Sequence, residues 1–309
     1  MINSEIKVAI ASRSFSRNKI LRNEVIERYS NVKFNDNGLS LKGELLVDFL
    51  QGITHAIIAL EKIDSCILSQ LPELQVISKY GVGLDMIDMQ AMQKYNVKLG
   101  WTGGVNRRSV SELVISFAIS LLRHVPESNR EVLSGTWQQH VGRQLSGRTV
   151  GIIGCGHVGQ DLVKMLQPFG CSILVNDIKN YHEFYKQYNI KAVEKEELLK
   201  KSDIVTLHTP LDNSTRNMLT AERLSLMKHN AILINIARGG LLDEGALKKM
   251  LINGGLGGAA LDVFLIEPPN DNELLKLPNF IATSHIGGSA EESILAMGMA
   301  AISGLNTNV

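Results

Sequence analysis

The sequence predicts an α/β protein built from two parallel-sheet domains. Short apolar runs alternate with longer stretches of helical periodicity from one end to the other, the pattern of parallel strands joined by crossover helices. At roughly 150 residues per domain, a chain of 309 residues divides into two. A glycine-rich turn sits directly between one apolar run and a helical segment, as at the junction of a βα unit.

The first hundred residues carry strand candidates at 7–11, 55–60, 74–78 and 97–101, each a short apolar or β-branched run, with a helix expected over 85–95. Ser109-Val110-Ser111-Glu112 spells a capping box, in which Ser109 accepts from a backbone N–H while Glu112 reaches back, and it predicts a helix from Ser109 to about Arg123. A domain boundary is placed near 103–107. Residues 126–147 lack a clean period and include Gly135, Trp137, Gly142 and Gly147, so they read as a helix end followed by an arm crossing the surface. A second series of runs follows at 149–153, 171–176, 204–209, 231–237, 256–264 and 280–284. Six runs is the strand count of a Rossmann sheet. Lys195–Lys201 mixes both signs at helical spacing and reads as a solvated helix face, and 290–306 forms a last helix.

Composition removes several function classes. Lys plus Arg number 32 against 31 Asp plus Glu, a net charge of +1, with no one-signed segment of the kind phosphate-backbone binding requires, so nucleic acid is not an expected partner. The longest apolar stretch, 113–122, contains Ser116 and Ser120 and falls short of the about 18 apolar residues of a membrane span, so no membrane association is expected. The run 8–11 ahead of Arg13 and Arg17 is too brief for a signal-peptide core. Cys66, Cys155 and Cys171 form no C-x-x-C pair and leave an odd thiol, which fits a reducing, cytoplasmic setting. The histidines never stand at H-x-x-x-H or H-x-H spacing, so no metal site is expected.

Gly154-Cys155-Gly156-His157-Val158-Gly159 follows the 149–153 run and opens a segment of helical spacing. Gly154 permits the tight turn, Gly156 lets backbone approach a pyrophosphate, Gly159 lets helix pack on strand, and the helix N-terminus attracts the anion. The next run ends at Asp177, 18 residues beyond Gly159, close to the spacing of about 20 at which a carboxylate meets the ribose hydroxyls of NAD. That carboxylate repels the 2′-phosphate of NADP, a preference Lys179 softens. Cys155 reads as a small buried residue rather than a reactive thiol.

Three later runs each end in an ionisable residue close to glycine or proline: Arg238, Glu267 and His285. In an open parallel sheet the carboxyl ends of strands face the ligand crevice, so the three side chains are expected to converge there. Reduction of a 2-oxo acid by NADH needs a cation that grips the carboxylate, a proton donor at the carbonyl oxygen and a group that keeps the donor charged. Arg238, His285 and Glu267 supply these in turn, a carboxylate favouring the imidazolium form of its histidine neighbour.

These residues stand in a longer ordered series: Tyr80-Gly81-Val82-Gly83-Leu84-Asp85, Gly103-Gly104-Val105-Asn106, the glycine loop, Leu207-His208-Thr209-Pro210-Leu211, Asn235-Ile236-Ala237-Arg238-Gly239, Asp262-Val263-Phe264-Leu265-Ile266-Glu267-Pro268-Pro269 and Ser284-His285-Ile286-Gly287-Gly288. In this the chain resembles the D-isomer-specific 2-hydroxyacid dehydrogenase family, which includes phosphoglycerate dehydrogenases. The resemblance implies two parallel-sheet domains, Rossmann-like and flavodoxin-like, with an NAD-binding domain of residues 104–284 inserted into a substrate-binding domain of residues 1–103 plus 285–309. It implies Arg238, Glu267 and His285 as catalytic residues. It places the cofactor against Gly154, Gly156, His157, Val158, Gly159, Asp177, Thr209, Pro210, Ile236, Ala237, Arg238, Asp262, His285, Gly287 and Gly288. Substrate would meet Gly81, Val82, Gly83, Arg238 and His285. A small 2-hydroxy or 2-oxo acid is the implied partner, together with a second copy of the chain paired through the cofactor domain, where the segment after Asn106 and the Trp137 arm would contribute.

Two departures narrow the substrate and the regulation. Phosphoglycerate-specific relatives tend to place arginines in the turn after the second strand, where this chain has Leu60-Glu61-Lys62-Ile63-Asp64, a poor phosphate site by charge. The chain ends at Val309, so feedback through the C-terminal regulatory domain of many phosphoglycerate dehydrogenases is not expected. The expected activity is thus NAD-dependent hydride transfer between nicotinamide and a D-2-hydroxy acid, with 3-phosphoglycerate and hydroxypyruvate or glyoxylate among the options. The alternative is a non-enzymatic, NAD-responsive binding protein of corepressor type. A formate dehydrogenase would carry an amide where Glu267 stands, and a methyltransferase has no use for the three ionisable residues.

Overall fold

The structure is a computed structural model that describes residues 3–307. The chain forms two compact units, Met1–Asn106 with Ala290–Val309, and Arg107–Ser289. The first unit holds β1 (Asn3–Ile10), β2 (Tyr29–Phe34), β3 (His55–Ile58), β4 (Val76–Lys79) and β5 (Lys98–Gly100), all parallel, in the order β2-β1-β3-β4-β5. That is a flavodoxin-like order. The second holds β6 (Thr149–Ile153), β7 (Ser172–Asn176), β8 (Lys191–Ala192), β9 (Ile204–Leu207), β10 (Ile232–Asn235), β11 (Gly258–Leu261) and β12 (Phe280–Ala282). Their order, β12-β11-β10-β9-β6-β7-β8, is the Rossmann arrangement with one more strand at the β12 edge.

Both sheets are covered on both faces, which is why their central strands are apolar without alternation. In the second unit Val205, Leu207, Leu233, Ala259 and Leu261 join one core while Ile204, Ile232, Ile234 and Ala260 join the other. The first unit repeats the scheme: Ala9, Ala56, Ile58 and Ile77 face one core, Val8, Ile10 and Ile57 the other. The C-terminal helix Glu291–Gly304 completes it, with buried Ser78 donating to the Ala301 carbonyl at 2.6 Å.

The elements depart from expectation where tertiary contacts or sheet edges intervene. β2 and β8 were not expected. β2 is an edge strand with mostly polar, outward residues, and β8 is a two-residue exposed edge, so neither carries the apolar signal of a buried strand. The second sheet therefore has seven strands rather than six. The helix expected over 85–95 is confined to Met89–Lys94: Ile63 bridges Ile87, and Asp88 caps the helix by accepting from Gln90 N and Ala91 N. The Ser109 capping box does not form. The helix starts earlier and runs Arg107–Leu122, leaving Ser109 inside its first turn with the hydroxyl donating to the Gly287 carbonyl at 2.7 Å. That bond ties 285–289 to the second unit. The units divide at Asn106/Arg107, within the expected 103–107 window, and at Ser289/Ala290, beyond 284/285, so His285 belongs with Arg238 and Glu267.

Candidate active site

The turn leaving β6 has the shape its glycines allow. Gly154 has φ +97°, and a Cβ there would lie 2.7 Å from the His208 carbonyl carbon, while one on Gly159 would overlap the Gly154 carbonyl oxygen. Gly156 has nothing within 4 Å of the corresponding position. Two glycines thus close the turn and the third leaves an open floor under the start of helix His157–Leu166, whose first amides have no intrahelical acceptors.

At the end of β7, Asp177 accepts from Cys155 N at 2.5 Å through one oxygen and from Lys179 N at 2.7 Å through the other. Its carboxylate thereby clasps the glycine turn and lines, with Ile178, Lys179 and Tyr185, an open cavity of about 620 Å³. Among the described residues the buried Thr209 Oγ1 has no hydrogen-bond partner, and Thr209 Cγ2 would lie 3.0 Å from a Cβ on Gly154. An open floor, a carboxylate at the second strand end and an unmatched buried hydroxyl fit a dinucleotide. His157 and Val158 are the first two helical residues, and Pro210 is exposed just after Thr209. Cys155 is fully buried, and burial with the nearby Asp177 charge pushes its thiol up to about 12, so it is a space-filler. The His208 ring meets Thr206 Oγ1 at 2.9 Å and burial drives its pKa down to about 3, removing it from acid–base use near neutrality.

Arg238, Glu267 and His285 follow β10, β11 and β12, three neighbouring strands, at their carboxyl ends. Glu267 Oε2 lies 3.1 Å from His285 Nδ1, and its other oxygen accepts from Phe264 N at 3.1 Å. A carboxylate only accepts, so Nδ1 carries the proton and Nε2 is the nitrogen left to exchange one with a ligand. The pair borders a cavity of about 230 Å³ with Asp262, Phe264, Pro268 and Thr283. Arg238 is held by its own turn. Buried Asn235 accepts from Ala237 N at 3.1 Å and donates to the Arg238 carbonyl at 2.8 Å, while the guanidinium donates to the Ala237 carbonyl at 2.7 Å. A Cβ on Gly239 would overlap the Phe264 carbonyl, so the β10 and β11 loops touch backbone to backbone beside the Glu267 turn.

The loop carrying His285 hangs on Asp262. That residue is 1% exposed and accepts from Thr283 Oγ1 (2.6 Å), Ile286 N (2.7 Å) and Gly287 N (2.8 Å). His285 itself has φ +57°, a left-handed conformation that a non-glycine residue keeps only when its surroundings impose it. Asp262 and Gly287, both expected against the cofactor, have polar groups engaged with this loop and with Ser109, and Asp262 also lines the cavity beside His285. Ile236 is 7% exposed, Ala237 and Gly288 are half-buried. Asn235, Thr283 and Ser109 were missed as supports because their partners are distant in sequence, although polar residues ending buried strands are a usable signal.

In the first unit, Gly81, Val82 and Gly83 follow β4, with Gly81 at φ +118° and the Val82 carbonyl accepting from Trp101 Nε1 at 3.1 Å. Just before them Lys79, 4% exposed, donates to the Ala59 and Tyr80 carbonyls. This lysine was not singled out in the sequence. After β3, Glu61 turns inward to accept from Ala59 N, and Lys62 pairs with Asp64 at 3.0 Å.

The fold and the glycine turn define an α/β protein of the dinucleotide-binding type. Residues 115–287 match the family model for the D-isomer specific 2-hydroxyacid dehydrogenase NAD binding domain, and the chain belongs to that family. It is 35% identical over 243 residues to the hydroxypyruvate reductase of Thermotoga maritima, covering 77% of this chain and 78% of that one. It is 37% identical over 236 residues to the D-3-phosphoglycerate dehydrogenase of Bacillus subtilis, covering 76% of this chain and 45% of that one, so the match spans under half of that relative. A solved structure of a Thermus thermophilus protein superposes with a TM-score of 0.85 at 30% identity, covering 97% of this chain and 94% of that one. The second unit is thus an NAD-binding domain, and among the described residues no single helix is long and apolar enough to cross a membrane.

Proposed function

We propose that the protein is an NAD-dependent oxidoreductase that interconverts a D-2-hydroxy acid and its 2-oxo acid. The observation that carries this is the Glu267–His285 hydrogen bond at the carboxyl edge of an NAD-binding sheet, one strand from Arg238. When bound, the nicotinamide supplies or takes the hydride. The chain's own residues do the rest. Arg238 binds the substrate carboxylate and fixes which face of the 2-carbon is presented. His285, its Nδ1–H held by Glu267, gives a proton from Nε2 to the carbonyl oxygen in reduction and takes it back in oxidation.

The substrate class we favour is a small, unphosphorylated 2-oxo acid such as glyoxylate or hydroxypyruvate. In the turn after β3 the one lysine is paired with Asp64 and the neighbouring acid is turned inward, which leaves no cationic fork for a phosphate. The test is NADH consumption by purified protein against a panel of 2-oxo acids, with NADPH in parallel. Fastest turnover of glyoxylate or hydroxypyruvate supports the reading. Fastest turnover of phosphohydroxypyruvate overturns the substrate class, and tight NADH binding without turnover returns the protein to the corepressor-like alternative.

Cofactor choice is tied to Asp177. Asp177→Ala is expected to raise the NADPH-to-NADH ratio of kcat/KM by about 10–100-fold, because the charge opposed to a 2′-phosphate is lost while Lys179 stays. We also propose a homodimer formed through the second unit, supported by the exposed apolar residues Leu133, Trp137 and Val141, and a cytoplasmic location, supported by three free cysteines.

A further inference from the structure

A second group of titratable side chains lies away from the dinucleotide turn and the His285 loop, on the helix Val125–Leu133 and the arm that follows it. Glu127 and Glu131 stand one helical turn apart on the same face. The arm then folds back: Thr136 N donates to the Glu131 carbonyl at 2.8 Å, and His140 Nε2 arrives 2.6 Å from Glu131 Oε2. Its path is fixed two residues later. A Cβ on Gly142 would stand 2.5 Å from the Leu122 carbonyl oxygen, and Arg143 N donates to that same oxygen at 2.8 Å. One ligand atom from each of Glu127, Glu131 and His140 lies within 4.8 Å of the others, and all three residues are half-buried. His124 adds a second imidazole, with Nδ1 3.6 Å from Glu127 Oε2 and its ring stacked on that of His140 at 5.7 Å between centroids.

Two carboxylates and two imidazoles converge here, and such mixed nitrogen and oxygen donors suit a borderline transition metal rather than a hard cation that demands oxygen alone. Ligand atoms around tetrahedral zinc stand roughly 3.3 Å apart, and in this structure the three candidate ligand atoms lie within 4.8 Å of one another.

We propose that Glu127, Glu131 and His140 form a divalent transition-metal site of the zinc class, with His124 beside it, that pins the arm to the helix. The spacing joins a helical pair of acids to a histidine beyond a reverse turn, so a search for paired histidines does not register it.

The test is calorimetric titration of the metal-stripped full chain with zinc chloride, with magnesium chloride as control and the visible spectrum of the cobalt-loaded protein as the signature of coordination. Expected are one zinc per chain with a dissociation constant of about 1 µM or tighter, no magnesium binding, and zinc affinity about 10–100-fold weaker in His140→Gln and in Glu131→Gln. Both variants are expected to melt like the wild type in chelator and to reduce 2-oxo acids at its rate. Zinc binding that survives both substitutions unchanged, or no uptake below about 100 µM zinc, overturns the proposal.

Discussion

His285→Ala lowers kcat for 2-oxo acid reduction by about 10²–10⁴-fold, the scale of a positioned acid–base group, while NADH binding measured by fluorescence stays within a few-fold of wild type. The reason is geometric. Nδ1 is committed to Glu267 at 3.1 Å, so Nε2 is the ring's one exchangeable position, and alanine leaves the carbonyl oxygen without a donor. Arg238→Ala is expected to raise KM for the 2-oxo acid and lower kcat together, since the same contact binds the carboxylate and orients the 2-carbon. Arg238→Lys recovers charge but not the planar fork and is expected to recover only part of the loss. Glu267→Gln keeps an acceptor for Nδ1 and should cost less than Glu267→Ala. Turnover within tenfold of wild type in both His285→Ala and Arg238→Ala would sink the mechanism, whatever the substrate.

How far this was legible in the sequence depended on the range of the forces involved. The glycine turn and its strand were readable because their constraints are local: φ +97° at Gly154 and the crowding at Gly159 act within a few residues. The three ionisable strand ends were readable because parallel topology carries every strand's carboxyl end to one edge. What escaped was set by contacts across the sequence. Ser109 spells a cap, yet its hydroxyl serves the Gly287 carbonyl, because the helix begins at Arg107 and packing on the sheet outweighs a local capping preference. β2 and β8 carry too little apolar surface to announce themselves, since an edge strand is specified by its neighbour's open hydrogen bonds. Trp137 shows a similar limit: an arm and a core residue look alike in a string, and only the fold shows it 86% exposed.

Asp262 is where local and long-range readings give different experimental outcomes. A family motif puts it against the cofactor, whereas its carboxylate accepts three hydrogen bonds from residues 283–287 in a 1% exposed site. Asp262→Ala removes the acceptor from Ile286 N, which is part-buried, and from Gly287 N, which is buried. At about 1.5–3 kcal/mol for each bond to a charged acceptor, and less than additive, the expected loss of unfolding free energy is about 3–5 kcal/mol, read from urea transitions. Asp262→Asn keeps one accepting oxygen but turns an NH₂ toward a backbone N–H, and should lose roughly 1–3 kcal/mol. The activity arm separates the two roles. If Asp262 holds the loop, the Asn variant assayed well below its melting temperature loses at least tenfold in kcat with KM for NADH little changed, because His285 is released from its left-handed conformation at φ +57°. A variant with intact kcat and a KM for NADH raised tenfold would restore the contact to the cofactor, and Thr283→Val then decides between them. Deleting that hydroxyl removes only a hydrogen bond to Asp262, so it lowers kcat if the carboxylate positions His285 and leaves it alone if the carboxylate binds NAD.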